Sequence, residues 1–300
     1  MKTRPLEKGT DLYIDLMKKV LTASVYDESA WWLIEPYKQS ASATNPLQWT
    51  RFLLRNAFIR ALRKRSIFLV LAKPFSTLER DEGKDLPLFG YTMVGLRRLD
   101  NVQACVEDVL SNGVPGDFIE TGAWRGGTGI FMRALLKAYG VTDRKVWVAD
   151  SFEGLPVPKS SEDGFDLSQI GYFKVSLEKV RSNFARFGLL DQQVEFLKGW
   201  FCDTLPDAPI RQLAILRLDG DLYSSTLDSL QNLYHKVSNG GYVIVDDYYS
   251  WPSCRKAVTD FLGRSSIEPE IKSIDRDGAY WKVSTTLQHT SKPDHGLHTD

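Results

Sequence analysis

From residue 116 onward, short runs of apolar residues alternate with longer segments in which apolar residues recur at helical spacing. The short runs predict strands at 117–120, 145–150, 194–198, 213–218 and 242–245. The longer segments between them predict helices at 126–139, 177–187, 224–237 and 254–262. Short apolar strands that are separated by helices are typical of a parallel sheet covered on both faces. This part of the chain therefore predicts an α/β fold.

The end of the chain has a different pattern. Two extended segments, 270–274 and 279–283, flank the turn-forming run Asp275-Arg276-Asp277-Gly278, so we expect a closing hairpin. With the five strands before it, the hairpin completes a doubly wound, seven-stranded and mostly parallel sheet with an antiparallel end. The polar residues 286–300 predict a disordered tail.

The first 85 residues predict a helical extension that serves as a lid or as an oligomer contact. A catalytic domain is predicted to follow at 86–285. Apolar spacing indicates a short helix at 11–21, and helix formers with six basic residues indicate another at 49–71. The second helix fits a membrane surface or an anionic partner. The favoured alternative is that it packs on its own domain or on a sister subunit. The charged run 79–84 is interpreted as a solvated connector.

Composition excludes several classes of protein. The 300 residues (34.0 kDa) are 43% apolar and 25% charged, which is ordinary for a globular chain. Because 38 basic residues balance 38 acidic ones, the basic excess of a nucleic-acid binder is absent. The apolar run 67–72 is too short to span a bilayer. Widely spaced cysteines and a charged N-terminal sequence predict a cytoplasmic protein.

Candidate chemistry lies where the predicted strands end, because ligands of open parallel sheets bind beyond the carboxyl ends of the strands. The first strand leads into a glycine-rich turn from Glu120 to Gly129, where Gly122 would let a ligand approach the backbone. The second strand ends at Asp150, whose carboxylate is placed to accept hydrogen bonds from two ribose hydroxyls. Together these features indicate a nucleoside-containing cofactor.

The glycine spacing argues against a dinucleotide. Gly122, Gly126, Gly127 and Gly129 do not form the Gly-x-Gly-x-x-Gly pattern. The carboxylate of Glu120 would also repel a pyrophosphate at the start of the following helix. S-adenosylmethionine, which carries a sulfonium, an ammonium and a ribose but no phosphate, fits these residues better.

Further candidates follow the remaining strands. The turn Gly199-Trp200-Phe201-Cys202-Asp203 places aromatic residues beside the expected adenine site. The alternative for Trp200 and Phe201 is that they are core aromatics. Several carboxylates end two neighbouring strands: Asp219, Asp221, Asp246 and Asp247. Such carboxylates would repel one another unless a cation lay between them, and oxygen ligands favour Mg²⁺. The alternative for Asp221 and for Asp228 is that they are exposed helix caps.

These motifs together resemble the TylF-type macrocin O-methyltransferase family, which methylates sugar hydroxyls of macrolides and related antibiotics. The resemblance covers roughly residues 10–28 and 79–285, and residues 31–75 do not match. The motifs that carry it lie at 92–101, 120–127, 150–156, 199–206, 217–221 and 246–248. The resemblance implies a class I, Rossmann-like methyltransferase fold, and it suggests a homo-oligomer.

The resemblance also implies roles for individual residues. Asp219 would be the general base and a Mg²⁺ ligand, with Asp246 and Asp247 as the other ligands. The residues implied for S-adenosylmethionine are Thr92, Met93, Glu120, Thr121, Gly122, Ala123, Trp124, Asp150, Ser151, Phe152, Cys202 and Asp203. Of these, Thr92 and Met93 would come from the helix before the first strand. A dry lining by Trp124, Phe152 and Tyr248 is a further hypothesis.

The expected reaction is methyl transfer from S-adenosylmethionine to a sugar hydroxyl, a small-molecule acceptor. Mg²⁺ would lower the pKa of that hydroxyl, and Asp219 would take its proton. Two alternatives stay open. One is a different acceptor, namely a phenol, a polyketide or a lipid hydroxyl. The other is a non-enzymatic cofactor-binding scaffold, against which the complete carboxylate set argues.

Overall fold

The computed structural model describes residues 9–26, 30–34, 46–73, 76–85, 87–164, 166–168 and 170–284. The predicted tail at 286–300 lies outside these residues. In chain order the helices and strands are α1 Gly9–Leu21, β1 Ala30–Leu33, α2 Pro46–Arg63, β2 Val70–Lys73, α3 Thr77–Asp81, α4 Leu96–Ser111, β3 Asp117–Thr121, α5 Gly127–Ala138, β4 Val146–Asp150, α6 Leu177–Arg186, β5 Val194–Lys198, α7 Phe201–Thr204, β6 Leu213–Leu218, α8 Tyr223–Leu233, β7 Val237–Val245, α9 Pro252–Arg264, β8 Lys272–Ser273 and β9 Ala279–Lys282. Short 3-10 turns lie at Ser161–Asp163, Gly171–Phe173 and Tyr234–Lys236.

Seven strands form the main sheet in the order β5-β4-β3-β6-β7-β9-β8. Strands β3 to β7 pair in parallel, β9 runs antiparallel to β7, and β8 pairs antiparallel with β9. This confirms the predicted seven-stranded, mostly parallel α/β fold with its antiparallel hairpin. The strand order reverses direction between β3 and β6, so a ligand crevice is expected at their carboxyl ends.

Apolar layers cover both faces of the sheet. Neighbouring residues of a strand point to opposite faces, so Phe118 joins one buried layer while Ile119 joins the other. The first layer includes residues of α1, α4, α5 and α6, and the second includes residues of α8 and α9. Strands buried on both sides explain why the sequence shows continuous apolar runs there rather than alternation.

The extension before residue 85 differs from the prediction in its second element. The predicted helix 49–71 is α2, which ends at Arg63, followed by strand β2, which pairs antiparallel with β1. Ser66 adopts a left-handed φ of 57° just after the helix, a conformation that stops helical hydrogen bonding. The run Ile67-Phe68-Leu69-Val70 is rich in residues that favour extended backbone.

The predicted solvated connector at 79–84 is wrong for two of its residues. Arg80 is 5% exposed and pairs with the buried Asp85, 2.5 Å away, and it also donates to the carbonyl of Thr22. Glu82 is buried as well. Composition could not reveal this, because the acceptor at Thr22 comes from the end of α1. The hydrogen bond from Arg80 to Thr22 instead connects this segment to the end of α1, and Asp85 balances the charge of the buried guanidinium.

Candidate active site

The turn between β3 and α5 requires glycine at its first position. Gly122 has a φ of 97°, and a Cβ there would lie 1.8 Å from the carbonyl oxygen of Asp219. The backbones of the two switch-point strands therefore approach closely, and the N–H of Asp219 donates to the carbonyl of Thr121 at 2.9 Å. This contact places the predicted base directly beside the glycine-rich turn.

Asp150, at the end of β4, organises the same turn. One of its oxygens accepts hydrogen bonds from the N–H groups of Ala123 (2.7 Å) and Trp124 (3.3 Å), and the other accepts from the N–H of Phe152 at 2.6 Å. Burial raises the pKa of Asp150, while these three backbone donors oppose that rise. Trp124 and Phe152 both have left-handed φ angles, of 48° and 58°, so two strained residues flank this carboxylate.

Glu120 does not face open space. Its side chain is 1% exposed; one oxygen accepts from the N–H of Gly129 at 2.8 Å, and the other accepts from Arg217 at 2.7 Å. Burial raises the pKa of Glu120, and the positive charge of Arg217 opposes this rise. The cationic partner of Glu120 in the structure is therefore the guanidinium of Arg217.

Two buried arginines hold the carboxylates at the ends of β6 and β7. Arg217 donates to Asp219 at 2.9 Å and to Asp246 at 2.6 Å, and Arg98 of α4 donates to the second oxygen of Asp246. Arg98 also pairs with Asp275 and with Asp277, at 2.9 and 2.8 Å. Both oxygens of Asp246 thus have guanidinium partners.

The carboxylate cluster that the structure brings together contains Asp221 rather than Asp246. One oxygen from each of Asp219, Asp221 and Asp247 lies within 4.8 Å of the others. Burial and the charge of Asp246 raise the pKa of Asp219 to about 6, and burial and Asp219 raise that of Asp221 to about 7. Three converging oxygen donors under mutual repulsion fit a hard divalent cation such as Mg²⁺. The metal set Asp219, Asp246 and Asp247 stays a prediction.

A cavity of about 500 Å³ opens at the carboxyl ends of β3, β4 and β6. Six of the residues that the sequence predicts for the site line it: Gly122, Asp150, Ser151, Cys202, Asp203 and Asp219. Cys202 and Asp203 reach it from the short helix α7. Asp219 belongs both to the cavity wall and to the carboxylate cluster, so a ligand in the cavity would lie next to that cluster.

The other predicted cofactor residues lie around this cavity without lining it. Thr92 and Met93 precede α4 rather than belonging to it, and Thr92 is buried with its hydroxyl accepting from the N–H of Val94. The other five are buried as well: Glu120 and Thr121 end strand β3, and Ala123, Trp124 and Phe152 lie in the turns after β3 and β4. Their cofactor contacts remain predictions.

Two walls of the cavity are absent from the residues that the sequence analysis predicts for the site. One wall is the consecutive segment 155–159, and the other is the first half of α8, with Ser224, Ser225 and Asp228. Asp228 lies inside α8 and not at its cap, and burial raises its pKa. Neither wall begins directly at the end of a strand, which is where the sequence analysis searched for candidate residues.

No helix among the residues with described positions combines the length and the apolar character needed to cross a membrane. The large exposed apolar residues of this part of the chain are distributed over α1, α2, β2, α3 and several loops.

A family model and individual relatives both match this chain over most of its length. Residues 10–283 match the family described as macrocin-O-methyltransferase (TylF). The chain is 45% identical to the 8-demethyl-8-(2,3-dimethoxy-alpha-L-rhamnosyl)-tetracenomycin-C 4'-O-methyltransferase of Streptomyces olivaceus, over 96% of this chain and 98% of that one. It is 40% identical to the mycinamicin III 3''-O-methyltransferase of Micromonospora griseorubida, over 92% and 98% of the two chains.

A solved structure agrees with the fold. The O-methyltransferase NovP shares 44% sequence identity with this chain and superposes with a TM-score of 0.75, covering 92% of this chain and 99% of its own. The family match spans most of the sequence, and the relatives align over nearly their whole lengths. The chain therefore belongs to the TylF macrocin-O-methyltransferase family and is an S-adenosylmethionine-dependent O-methyltransferase.

Proposed function

We propose that this enzyme transfers the methyl group of S-adenosylmethionine to a sugar hydroxyl of a glycosylated natural product, with Mg²⁺ in the carboxylate cluster. The observation that carries the proposal is the position of Asp219, which is shared by the cavity wall and the cluster of Asp219, Asp221 and Asp247. A methyl donor in the cavity and a hydroxyl at the cluster would then be neighbours.

The cavity suits the donor's nucleoside. Ser151, Cys202 and Asp203 offer polar atoms along one wall, and the ring of Trp200 adds an apolar surface to the same wall. Asp150 lines the cavity next to Gly122, in the place where a ribose is expected in this fold. We infer that these residues hold adenosine and that the sulfonium end points towards Asp219.

The carboxylates would hold the metal. Asp219 and Asp247 belong both to the predicted ligand set and to the observed cluster. Mg²⁺, when bound, lowers the pKa of a hydroxyl and fixes the position of its oxygen. The third ligand is Asp246 by family resemblance, whereas Asp221 is the third carboxylate that lies within reach. Asp246 would have to share one of its oxygens with an arginine.

In this mechanism Asp219 takes the proton of the acceptor hydroxyl while the methyl group passes from sulfur to oxygen. Arg217 holds one oxygen of Asp219 at 2.9 Å, which fixes the orientation of the carboxylate and leaves its other oxygen for the acceptor side. The close contact at Gly122 fixes the backbone of the same residue. Both contacts keep the base in register with the donor, which contributes to rate through orientation.

A non-sugar hydroxyl is the second candidate acceptor. The relative from Streptomyces olivaceus is named for a rhamnosyl compound, and that from Micromonospora griseorubida for position 3'' of mycinamicin III. Those names favour a sugar for this chain too. The family match at residues 10–283 includes the segment 31–75, which the sequence analysis leaves unmatched.

The experiment that tests the function measures S-adenosylhomocysteine release over deoxysugar glycosides, their aglycones and catechols, each with Mg²⁺ or with EDTA. We expect Mg²⁺-dependent turnover on a glycoside and none on its aglycone. Turnover that is indifferent to EDTA would contradict the metal, and turnover only on aglycones or catechols would support the second candidate.

The third metal ligand has its own test. Mg²⁺ affinity measured by calorimetry on Asp221→Asn and Asp246→Asn separates the two possibilities. A larger loss in Asp246→Asn supports the ligand set implied by the family, and a larger loss in Asp221→Asn supports the set that lies together in the structure. Asp143→Asn is the matched control, because Asp143 lies just before β4 and therefore at the amino ends of the strands, away from the carboxylate cluster.

We also propose that the enzyme is a cytoplasmic homo-oligomer. Support for self-association comes from α2, on which Leu53, Leu54 and Phe58 are 48%, 71% and 57% exposed. Large apolar side chains that are grouped on one helix favour a contact with another protein surface. A second copy of the chain is the partner that we propose.

A further inference from the structure

One carboxylate outside the predicted site joins two walls of the cavity. Asp163 is the one buried residue between Glu153 and Gly164, and its side chain is completely inaccessible. The five residues just before it on the chain that line the cavity, 155–159, are named here the strap segment. The strap segment has little burial of its own, so its position depends on how its ends are held.

Each oxygen of Asp163 contacts a different wall. One oxygen accepts from the N–H of Ser224 at 2.7 Å, in the first turn of α8. The other accepts from the N–H of Lys159 at 2.8 Å and from that of Ser160 at 3.3 Å. A single carboxylate thereby connects the end of the strap segment to the helix that carries Ser224 and Ser225 into the cavity.

The charge of Asp163 suits this position. The N-cap residue of α8 is Leu222, whose side chain cannot accept a hydrogen bond, so the N–H of Ser224 needs an acceptor from elsewhere. Although burial opposes the charge, the backbone N–H groups of Ser224 and Lys159 lower the pKa of Asp163. The helix dipole also favours an anion at this end of α8.

The strap segment is stiff enough to transmit this anchoring. Pro156 and Pro158 fix two of its five φ angles, so few backbone rotations separate Leu155 from Lys159. The α8 end of the connection is equally short, because Asp219 and Gly220 lie just before the helix. Moving the contact of Asp163 with Ser224 would therefore change the width of the cavity beside Asp219.

We propose that Asp163 is a positioning residue, which holds the strap segment against α8 and so forms the binding cavity for the methyl donor. This inference rests on the proposed location of the donor in that cavity. Asp163 does not itself line the cavity. It should therefore affect donor affinity far more than the rate of the chemical step.

The test compares Asp163→Ala and Asp163→Asn with wild type in calorimetric binding of S-adenosylhomocysteine and in steady-state kinetics. Because charged hydrogen bonds at two walls are lost, we expect Asp163→Ala to weaken binding by roughly tenfold or more. Asp163→Asn, which keeps one acceptor oxygen, should lie between. The KM for S-adenosylmethionine should rise in parallel, with kcat within about twofold of wild type.

Glu162→Ala is the matched control. Glu162 lies in the same 3-10 turn but is exposed, and it pairs with the exposed Lys256 at 3.1 Å. This variant should bind S-adenosylhomocysteine as wild type does. A general effect of altering the turn would appear in both variants, whereas an effect of the anchor appears only at Asp163.

Hydrogen exchange of the wild-type protein gives a readout that does not depend on how well a variant folds. The amides of Lys159, Ser160 and Ser224 should be protected together, and S-adenosylhomocysteine should slow their exchange further. The inference would be overturned if the amides of Lys159 and Ser160 exchanged freely both with and without S-adenosylhomocysteine. Wild-type affinity for S-adenosylhomocysteine in Asp163→Ala would overturn it as well. Wild type that does not bind S-adenosylhomocysteine would overturn the proposed function, and this inference with it.

Discussion

At the scale of single residues, the same carboxylate type has different surroundings at each strand end. Asp150 accepts from backbone N–H groups, Asp246 pairs with two arginines, and Asp219 pairs with one arginine while lining the cavity. A carboxylate can accept a proton from a ligand only through an oxygen that faces the cavity. For this reason we propose Asp219 as the general base that removes the proton of the acceptor hydroxyl.

Asp219→Asn removes the proton acceptor while it keeps the size of the side chain. We expect kcat to fall by about 10²–10⁴-fold, the usual contribution of a general base. Affinity for S-adenosylhomocysteine, measured by calorimetry, should stay within about threefold of wild type because the walls of the cavity are kept. Asp143→Asn should leave both values unchanged, and a variant at Asp219 with wild-type kcat would contradict the assignment.

Gly122→Ala tests the close approach of the two switch-point strands. The added Cβ would lie 1.8 Å from the carbonyl oxygen of Asp219, so β3 and β6 must separate at that point. We expect a lower Tm and loss of S-adenosylhomocysteine binding, measured by thermal shift. Gly140→Ala is matched, because its φ of 69° is also left-handed but no atom lies within 4 Å of the added Cβ.

That control isolates the cost of the backbone conformation, about 1–2 kcal/mol for alanine in the left-handed region. Equal losses of Tm in the two variants would mean that the contact with Asp219 has no effect of its own. A larger loss at Gly122 that comes with lost binding would show that the glycine keeps the site assembled.

At the scale of elements, a buried ion network joins β3, β6 and β7 with α4. Arg217 lies between Glu120, Asp219 and Asp246, and Arg98 extends the network to the loop before β9. Buried charges of this kind contribute little net stability when they are paired, but breaking the pairs is costly. The network therefore determines where these elements lie more than how stable the fold is.

Arg217→Met leaves the buried Glu120 and Asp246 and the partly exposed Asp219 without the arginine that they share. The free energy of unfolding should fall by about 3–5 kcal/mol, the usual cost of removing one member of a buried pair. Urea denaturation measures this change. Lys256→Met removes an exposed cation that also bridges two carboxylates, Glu162 and Asp260, and it should change stability little because solvent screens those pairs. A stable Arg217→Met protein would contradict the prediction.

At the scale of the whole molecule, the catalytic sheet is covered on both faces, whereas α2 carries exposed apolar residues. If a second copy covers them, Leu54→Glu combined with Phe58→Glu should shift the protein towards monomer in sedimentation velocity. Charges that become buried at such a contact lose hydration without gaining a partner. Leu78→Glu on α3, at a leucine that is 54% exposed, is the matched control and should leave the sedimentation coefficient unchanged.

Much of the fold follows from the sequence alone. The β5 and β6 bounds coincide with the predicted 194–198 and 213–218, and the closing hairpin appears where Asp275 to Gly278 indicates a turn. These features are local, because apolar runs and turn residues reflect the backbone states of a few neighbouring positions. The motifs at the strand ends also resemble the family to which the chain belongs.

Only the tertiary structure decided which side chains meet. The arginine partners of Asp246, the arrival of Asp221 beside Asp219 and Asp247, and the anchoring of residues 155–159 by Asp163 all join segments that are distant along the chain. Such contacts depend on strand register and on helix packing, which no local pattern encodes. The sequence by itself determined the sheet, the family and the strand ends that carry chemistry. Packing determined which of those carboxylates face a cavity and which face an arginine.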